Sequence, residues 1–279
     1  MPVQNSRAFL SPLAVLAVLA LAGCTAAANG ATGISGTSPA AIGRPSSSAA
    51  PNESLAPTRE TGRSPRPSKA SAVASGFDKN RLSTTDPASI WDVTNKLREL
   101  QPASFAPADL VQVPVPHQNS PVLRQVAADA LAALFSAAKT EGAGGLQLQS
   151  AYRSYALQVK VYSGYLAQLG AKTADAQSAR PSFSEHQTGL AADISASPAN
   201  CTLAECFGAT PQGKWLATNS WRFGYLLRYP SDKTAVTGCI YEPWHFRYVG
   251  VELASEMHAK GVATLEEFFG LPAAPDYLR

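Results

Sequence analysis

The chain is short of the residues that usually announce chemistry. It has four histidines and four cysteines in 279 residues, and only 15% of its side chains are charged. It contains no H-E-x-x-H, which excludes the helical zinc motif. Its one match to the S-x-x-K of serine peptidases, Ser136 to Lys139, lacks the companion K-T-G, because Lys233-Thr234 is followed by Ala235. Ser136 also falls late in an apolar-periodic segment, whereas such a nucleophile belongs near a helix start. In an Ala- and Ser-rich chain the match is a coincidence. No apolar run is long enough to span a bilayer, the candidate being Leu13 to Ala22. No internal repeat is present. Basic clusters are missing where a nucleic-acid surface would need them. The net charge is +3, but Arg7 and the segment 25–75, itself +3, leave residues 76–279 near −1. That balance excludes nucleic acid as the main partner.

What is present begins with an export pattern. Arg7 precedes the apolar run, which ends in Leu21-Ala22-Gly23-Cys24 and resembles a bacterial lipobox. A signal peptide over 1–23 and a lipid anchor on Cys24 are expected, attaching the protein to the outer face of the cytoplasmic membrane. Residues 24–75 hold no aromatic side chain and are mostly Ala, Ser, Pro, Gly and Thr. Such a segment cannot bury enough apolar surface to offset chain entropy, and a disordered tether is expected. Its reach would be roughly 35–42 Å root-mean-square. Residues 76–279 suffice for one domain. Export permits a disulfide there. Joining Cys201 to Cys206 would stabilise by about 2 kcal/mol in the loop-entropy model and leave Cys239 free. Cys206–Cys239 is the alternative pairing.

Ser120-Pro121 reads as a cap and first turn for a helix carrying Leu123, Val126, Ala127, Ala130, Leu131 and Leu134, ending at Glu141-Gly142. Leu146 to Ser150 alternates like a half-buried strand. Tyr155 to Leu169 reads as a helix stopped by Gly170. Strands are expected at Leu190–Ile194, Phe223–Tyr229 and His245–Val249. Helices are expected at Pro211–Asn219 and twice near the end, where Thr264 and Glu267 have capping-box spacing. The βαβ rhythm of a parallel sheet is lacking. The expected class is α+β, with a small, largely antiparallel sheet and helices packed on it.

Two polar stretches beside predicted strands concentrate the scarce histidines. Ser184 to Ile194 contains His186 and Asp193, and Tyr241 to Val249 contains Glu242 and His245. A catalytic zinc takes three ligands from His, Asp and Glu and keeps one position for water. His186, Asp193 and His245 supply that set, leaving Glu242 as a base. Residues three apart on a regular strand face opposite ways. Glu242 and His245 therefore converge only if Pro243-Trp244 bends the chain. Arg153 lies between a strand and a helix, and its planar fork suits a carboxylate or a developing oxyanion. His117 and His258 read as solvated or packing residues.

The stretches SAYRSYALQ, SARPSFSEHQTGLAADIS and EPWHFRYVG, in this order, resemble the zinc D-alanyl-D-alanine carboxypeptidases of the VanY type. The likeness spans roughly residues 77–270. One departure is Ser182, where the family pattern usually has glycine. The resemblance implies the α+β fold shared with the hedgehog signalling domain. It implies Zn²⁺ on His186, Asp193 and His245, Glu242 as catalytic base and Arg153 as the charge-steadying residue. Substrate contacts are implied for Arg153, Ser184, Gln158 and Trp244. The implied substrates are peptidoglycan stem peptides or their lipid-linked precursors, cut to release terminal D-alanine by a monomer. An L,D-carboxypeptidase on tetrapeptide stems and a non-catalytic wall-binding lipoprotein with structural zinc are the alternatives.

Overall fold

A computed structural model describes residues 76–278. The leader, the tether and Cys24 lie outside the described residues. The domain begins with an irregular segment up to Asp109. A two-stranded ribbon follows, β1 (Leu110–Gln112) against β2 (Val122–Arg124), and then α1 (Gln125–Thr140). Next come β3 (Gly145–Ser150), α2 (Tyr155–Gln177), β4 (Ala191–Ser197) and α3 (Pro211–Asn219). The chain ends with β5 (Tyr225–Leu227), α4 (Thr234–Thr237), β6 (His245–Tyr248), α5 (Val251–Lys260) and α6 (Leu265–Phe269). The main sheet runs β3-β4-β6-β5, every pair antiparallel. The class is the expected α+β.

Because side chains alternate across a sheet, β4 divides its residues between two faces. Ala192, Ile194 and Ala196 join Leu146, Leu148, Phe246 and Tyr225 in the apolar core beneath α1, with Leu131, Leu134 and Phe207. Asp193 and Ser195 face the other way, yet both are buried. A second apolar cluster, built on Trp91, Val249, Leu253, Met257 and Phe268, adjoins it. The sheet therefore carries one apolar face and one polar face, and on the polar one Asp193, Ser195, His245 and Arg247 are buried. Burial of polar groups on that scale requires partners for nearly all of them.

Three boundaries differ from expectation. Ser120-Pro121 does not cap α1: Val122–Arg124 pairs with β1, and the Pro121 carbonyl accepts from Val113 N–H at 2.7 Å. The helix begins at Gln125 in a phase that exposes Val126 and buries Ala127, Ala128 and Leu131. Gly170 does break α2, at φ 73° and ψ 164°, but a further helical stretch runs on to Gln177. The strand at Phe223–Tyr229 shrinks to β5, because Ser220–Phe223 forms a 3₁₀ turn closed by Gly224 at φ 78°. A side chain on Gly224 would meet the backbone of Gly250 and Val251 at 2.8 Å.

Candidate metal and catalytic site

The site lies on the polar face, where strand register does the first part of the assembly. Asp193 on β4 pairs directly with His245 on β6 and with Ser150 on β3. Paired residues on adjacent antiparallel strands put their side chains on the same face about 5 Å apart. His186 arrives from a 3₁₀ turn, Glu185–Thr188, whose exit is Gly189 at φ 69°. A Cβ there would press to 3.0 Å on Leu110 and Arg124. The end of β3 grips that turn: Arg153 N–H donates to His186 O at 3.1 Å, and His186 Nδ1–H donates to Ala151 O at 2.7 Å.

The ligand atoms of His186, Asp193 and His245 all lie within 4.8 Å of one another, and all three residues are buried. With its proton on Nδ1, His186 turns Nε2 toward Asp193 Oδ2 at 3.2 Å. His245 Nδ1 faces Asp193 Oδ1 at 3.1 Å, yet Oδ1 accepts no hydrogen bond of good geometry. Two imidazole nitrogens thus converge on one carboxylate whose oxygen lacks a partner. Lone pairs aimed at a carboxylate repel unless a cation or a proton lies between them. The donor set, two nitrogens and one oxygen, is the kind a catalytic zinc takes. Burial opposes charge on His245, but Asp193 and Glu185 outweigh it and raise its pKa to about 9. Burial likewise opposes charge on Asp193, yet the two imidazoles hold it well below the usual carboxylate range. His186 is pushed down, chiefly by burial.

Pro243-Trp244 forms the turn on which convergence depended, closed by His245 N–H to Glu242 O at 3.1 Å. Glu242 Oε2 then sits 3.8 Å from His245 Nδ1. Burial lifts its pKa to about 8, with Asp193 adding to the effect against His245 and Arg153. A carboxyl group poised near neutrality can both take and return a proton.

Arg153 faces the same cluster, Nη1 donating to Gln158 Oε1 at 2.8 Å and Nη2 to Ser150 Oγ at 3.0 Å. Gln158 is fully buried, and its Nε2 donates to Ala179 O at 2.6 Å. Its carboxamide is thereby used up beneath the guanidinium. Gln158 therefore braces the Arg153 side chain. Ser184, just before the 3₁₀ turn, is buried, and Trp244 is half-buried beside the core. Cys201 and Cys206 form a disulfide, and Cys239 is free. Ser136 and Lys139 are exposed on α1, outside the cluster. His258 stacks on Trp221, and His117 is exposed.

Sequence reasoning missed the layer behind His245. Glu185, Arg228, Arg247 and Glu266 are all buried there. The signal was available for one of them: Arg247 follows His245 by two on a strand, so it shares the polar face.

Residues 120–251 match the family model described as "VanY: D-alanyl-D-alanine carboxypeptidase". A "putative carboxypeptidase YodJ" from Bacillus subtilis (strain 168) is 40% identical over 189 residues, 66% of this chain and 68% of that protein. Among solved structures, the LdcB LD-carboxypeptidase superposes with TM-score 0.61 at 39% identity, covering 66% of this chain and 87% of that one. A vancomycin-resistance D,D-pentapeptidase VanY in complex with Zn(II) gives 0.54 at 32% identity, covering 65% and 98%.

Proposed function

The chain belongs to the VanY family of D-alanyl-D-alanine carboxypeptidases, and from that membership we propose a zinc-dependent enzyme that releases terminal D-alanine from peptidoglycan stem peptides. The carrying observation is the convergence of His186, Asp193 and His245 on one point, with Glu242 3.8 Å from His245. A non-catalytic staple has no use for that extra carboxylate. His186 Nε2, Asp193 and His245 Nδ1 would hold the ion. Bound Zn²⁺ supplies Lewis acidity, lowering the pKa of water toward about 7.

The remaining work falls to the chain's own groups. Glu242 accepts a proton from the attacking water and delivers one to the leaving amine of D-alanine. Its burial is what makes both transfers feasible near pH 7. Arg153, braced by Gln158 and Ser150, donates to oxygen as negative charge develops on it. Loss of such a donor costs roughly 3–4 kcal/mol of barrier in other enzymes. Ser184 and Trp244 are assigned to the substrate-facing wall. The lipobox at Leu21–Cys24 and the tether after it would hold the domain near the outer membrane face, within reach of stem peptides and their lipid-linked precursors.

The likeness to LdcB favours a second reading, cleavage of tetrapeptide stems. One assay separates the readings: purified protein is incubated with defined penta- and tetrapeptide stems and the products are weighed by mass spectrometry. D-Alanine released from the pentapeptide supports the D,D activity, and release from the tetrapeptide alone supports the L,D one. A chelator should abolish either and Zn²⁺ restore it, while penicillin has little effect. A zinc-bound chain that cuts neither stem leaves the wall-binding role in possession.

A further inference from the structure

Behind the site is a charged layer that the reaction just described does not use. Glu185 is the residue before His186, but its side chain turns toward His245. Its two oxygens have different tasks. Oε1 accepts from Arg228 Nε at 2.8 Å and from Arg247 Nη1 at 3.0 Å. Oε2 lies 3.2 Å from His245 Nε2. Both guanidiniums are themselves fixed. Arg228 forms a two-pronged pair with Glu266 at 2.9 and 2.7 Å, and Glu266 also accepts from Asn95 at 2.9 Å. Arg247 donates to Asp92 O at 2.8 Å and to Tyr248 O at 3.1 Å. The side chains of Glu185, Arg228, Arg247 and Glu266 are at most 1% exposed.

A fully buried ion network is poor evidence of a stability role, since well-packed apolar replacements often do as well or better. The arrangement makes more sense as orientation. An imidazole offers one nitrogen to a metal only when its proton is kept on the other, and a partner on that other nitrogen decides which. We propose that Glu185 is a positioning residue for metal binding: it accepts the Nε2 proton of His245, so that the Nδ1 lone pair faces Asp193 and Glu242. Two guanidiniums on Oε1 stop the carboxylate from rotating, which leaves Oε2 for the imidazole. The layer also ties this ligand to the segment Ile90–Asn95 and to α6, far apart in sequence. The role rests on the zinc reading above, and its test is chosen to fail separately.

The test reads metal affinity and ring protonation rather than turnover. Glu185→Gln keeps the shape of the side chain but turns part of the acceptor into a donor. Glu185→Met/Arg247→Met removes one charge of each sign and leaves the Arg228–Glu266 pair whole, so it guards against simple misfolding. Competition with a chelator should show Zn²⁺ bound about 10- to 100-fold more weakly by both variants. The visible spectrum of the Co(II)-loaded forms should change. Unfolding of the metal-free double variant should stay within about 4 °C of the unsubstituted chain. Unchanged zinc affinity in a folded variant overturns the role. Should both variants unfold, the unsubstituted zinc-loaded protein still decides: nitrogen-15 NMR should place the His245 proton on Nε2, and a proton on Nδ1 overturns it. An unsubstituted chain that takes up no zinc refutes the zinc reading itself, and the role of Glu185 with it.

Discussion

β4 and α2 both supply the site, yet β4 buries every residue from Ala191 to Ala196, whereas α2 buries only Gln158 and Ala174 over its 23 positions. On β4, position is set by backbone pairing on both sides and by a packed face beneath. On α2, Tyr155, Leu157, Val159, Tyr165 and Leu166 are exposed, and the helix is interrupted at Gly170. One buried glutamine connects it to Arg153. Asp193 and His245 are therefore fixed by the sheet, and the Arg153 side chain by a few hydrogen bonds. Damage to the first should change what the protein binds. Damage to the second should change how fast it works.

The sharpest way to break that distinction is at Glu242, which stands between the halves. Glu242→Gln should lower turnover by about 10²–10⁴-fold while zinc content, measured by metal analysis, stays at the unsubstituted level. Turnover near the original would remove Glu242 from the base role. Next in size is Gln158→Ala. Releasing Arg153 should cost between tenfold and a hundredfold in kcat/KM, and unfolding should report about 1–3 kcal/mol for the groups left unpaired. Zinc affinity should not move. If it falls, the two halves are not separately held.

A third test concerns Cys239, which lines a small cavity with Asp175, Tyr229 and Tyr277 outside the sheet. Burial raises the Cys239 thiol to about 12, with Glu242 contributing. An unfolded thiol titrates near about 8.5. The folded state therefore keeps a proton that the unfolded state loses. Its contribution to stability is complete below about pH 8.5 and disappears as pH rises through 12. Iodoacetamide at pH 9 should label the unfolded chain quickly and the native chain scarcely at all. Fast native labelling would mean that the thiol titrates well below the value its surroundings impose. The smallest effect is expected at Ser182, which adopts φ 69° where the family pattern usually has glycine. That conformation strains a side chain. Ser182→Gly should raise stability by about 1 kcal/mol, read by denaturant unfolding, with activity unchanged.

These regions also differ in how far the sequence disclosed them. The trio and Glu242 were legible because rare residue types clustered beside alternating strands, and because Pro243 signalled the bend. Period-two patterns located β3 and β6, since each has one apolar face. The start of α1 was misread because Ser120-Pro121 satisfies a capping rule, while the competing partner, β1, is three residues of weak pattern. The role of Gln158 was hidden because helical position does not reveal which polar group a buried amide meets. The layer of Glu185, Arg228 and Glu266 was invisible for the same reason. Its members are distant in sequence, and charges are ordinarily expected at the surface.

The central claim is that one zinc is held by three side chains brought together by strand register and a single turn. Anomalous diffraction at the zinc edge from crystals of the purified domain tests it directly. The account predicts one strong peak bounded by His186 Nε2, an Asp193 oxygen and His245 Nδ1, with Glu242 beside it and not ligating. A peak elsewhere, or His245 turned so that Nε2 faces the ion, would contradict it.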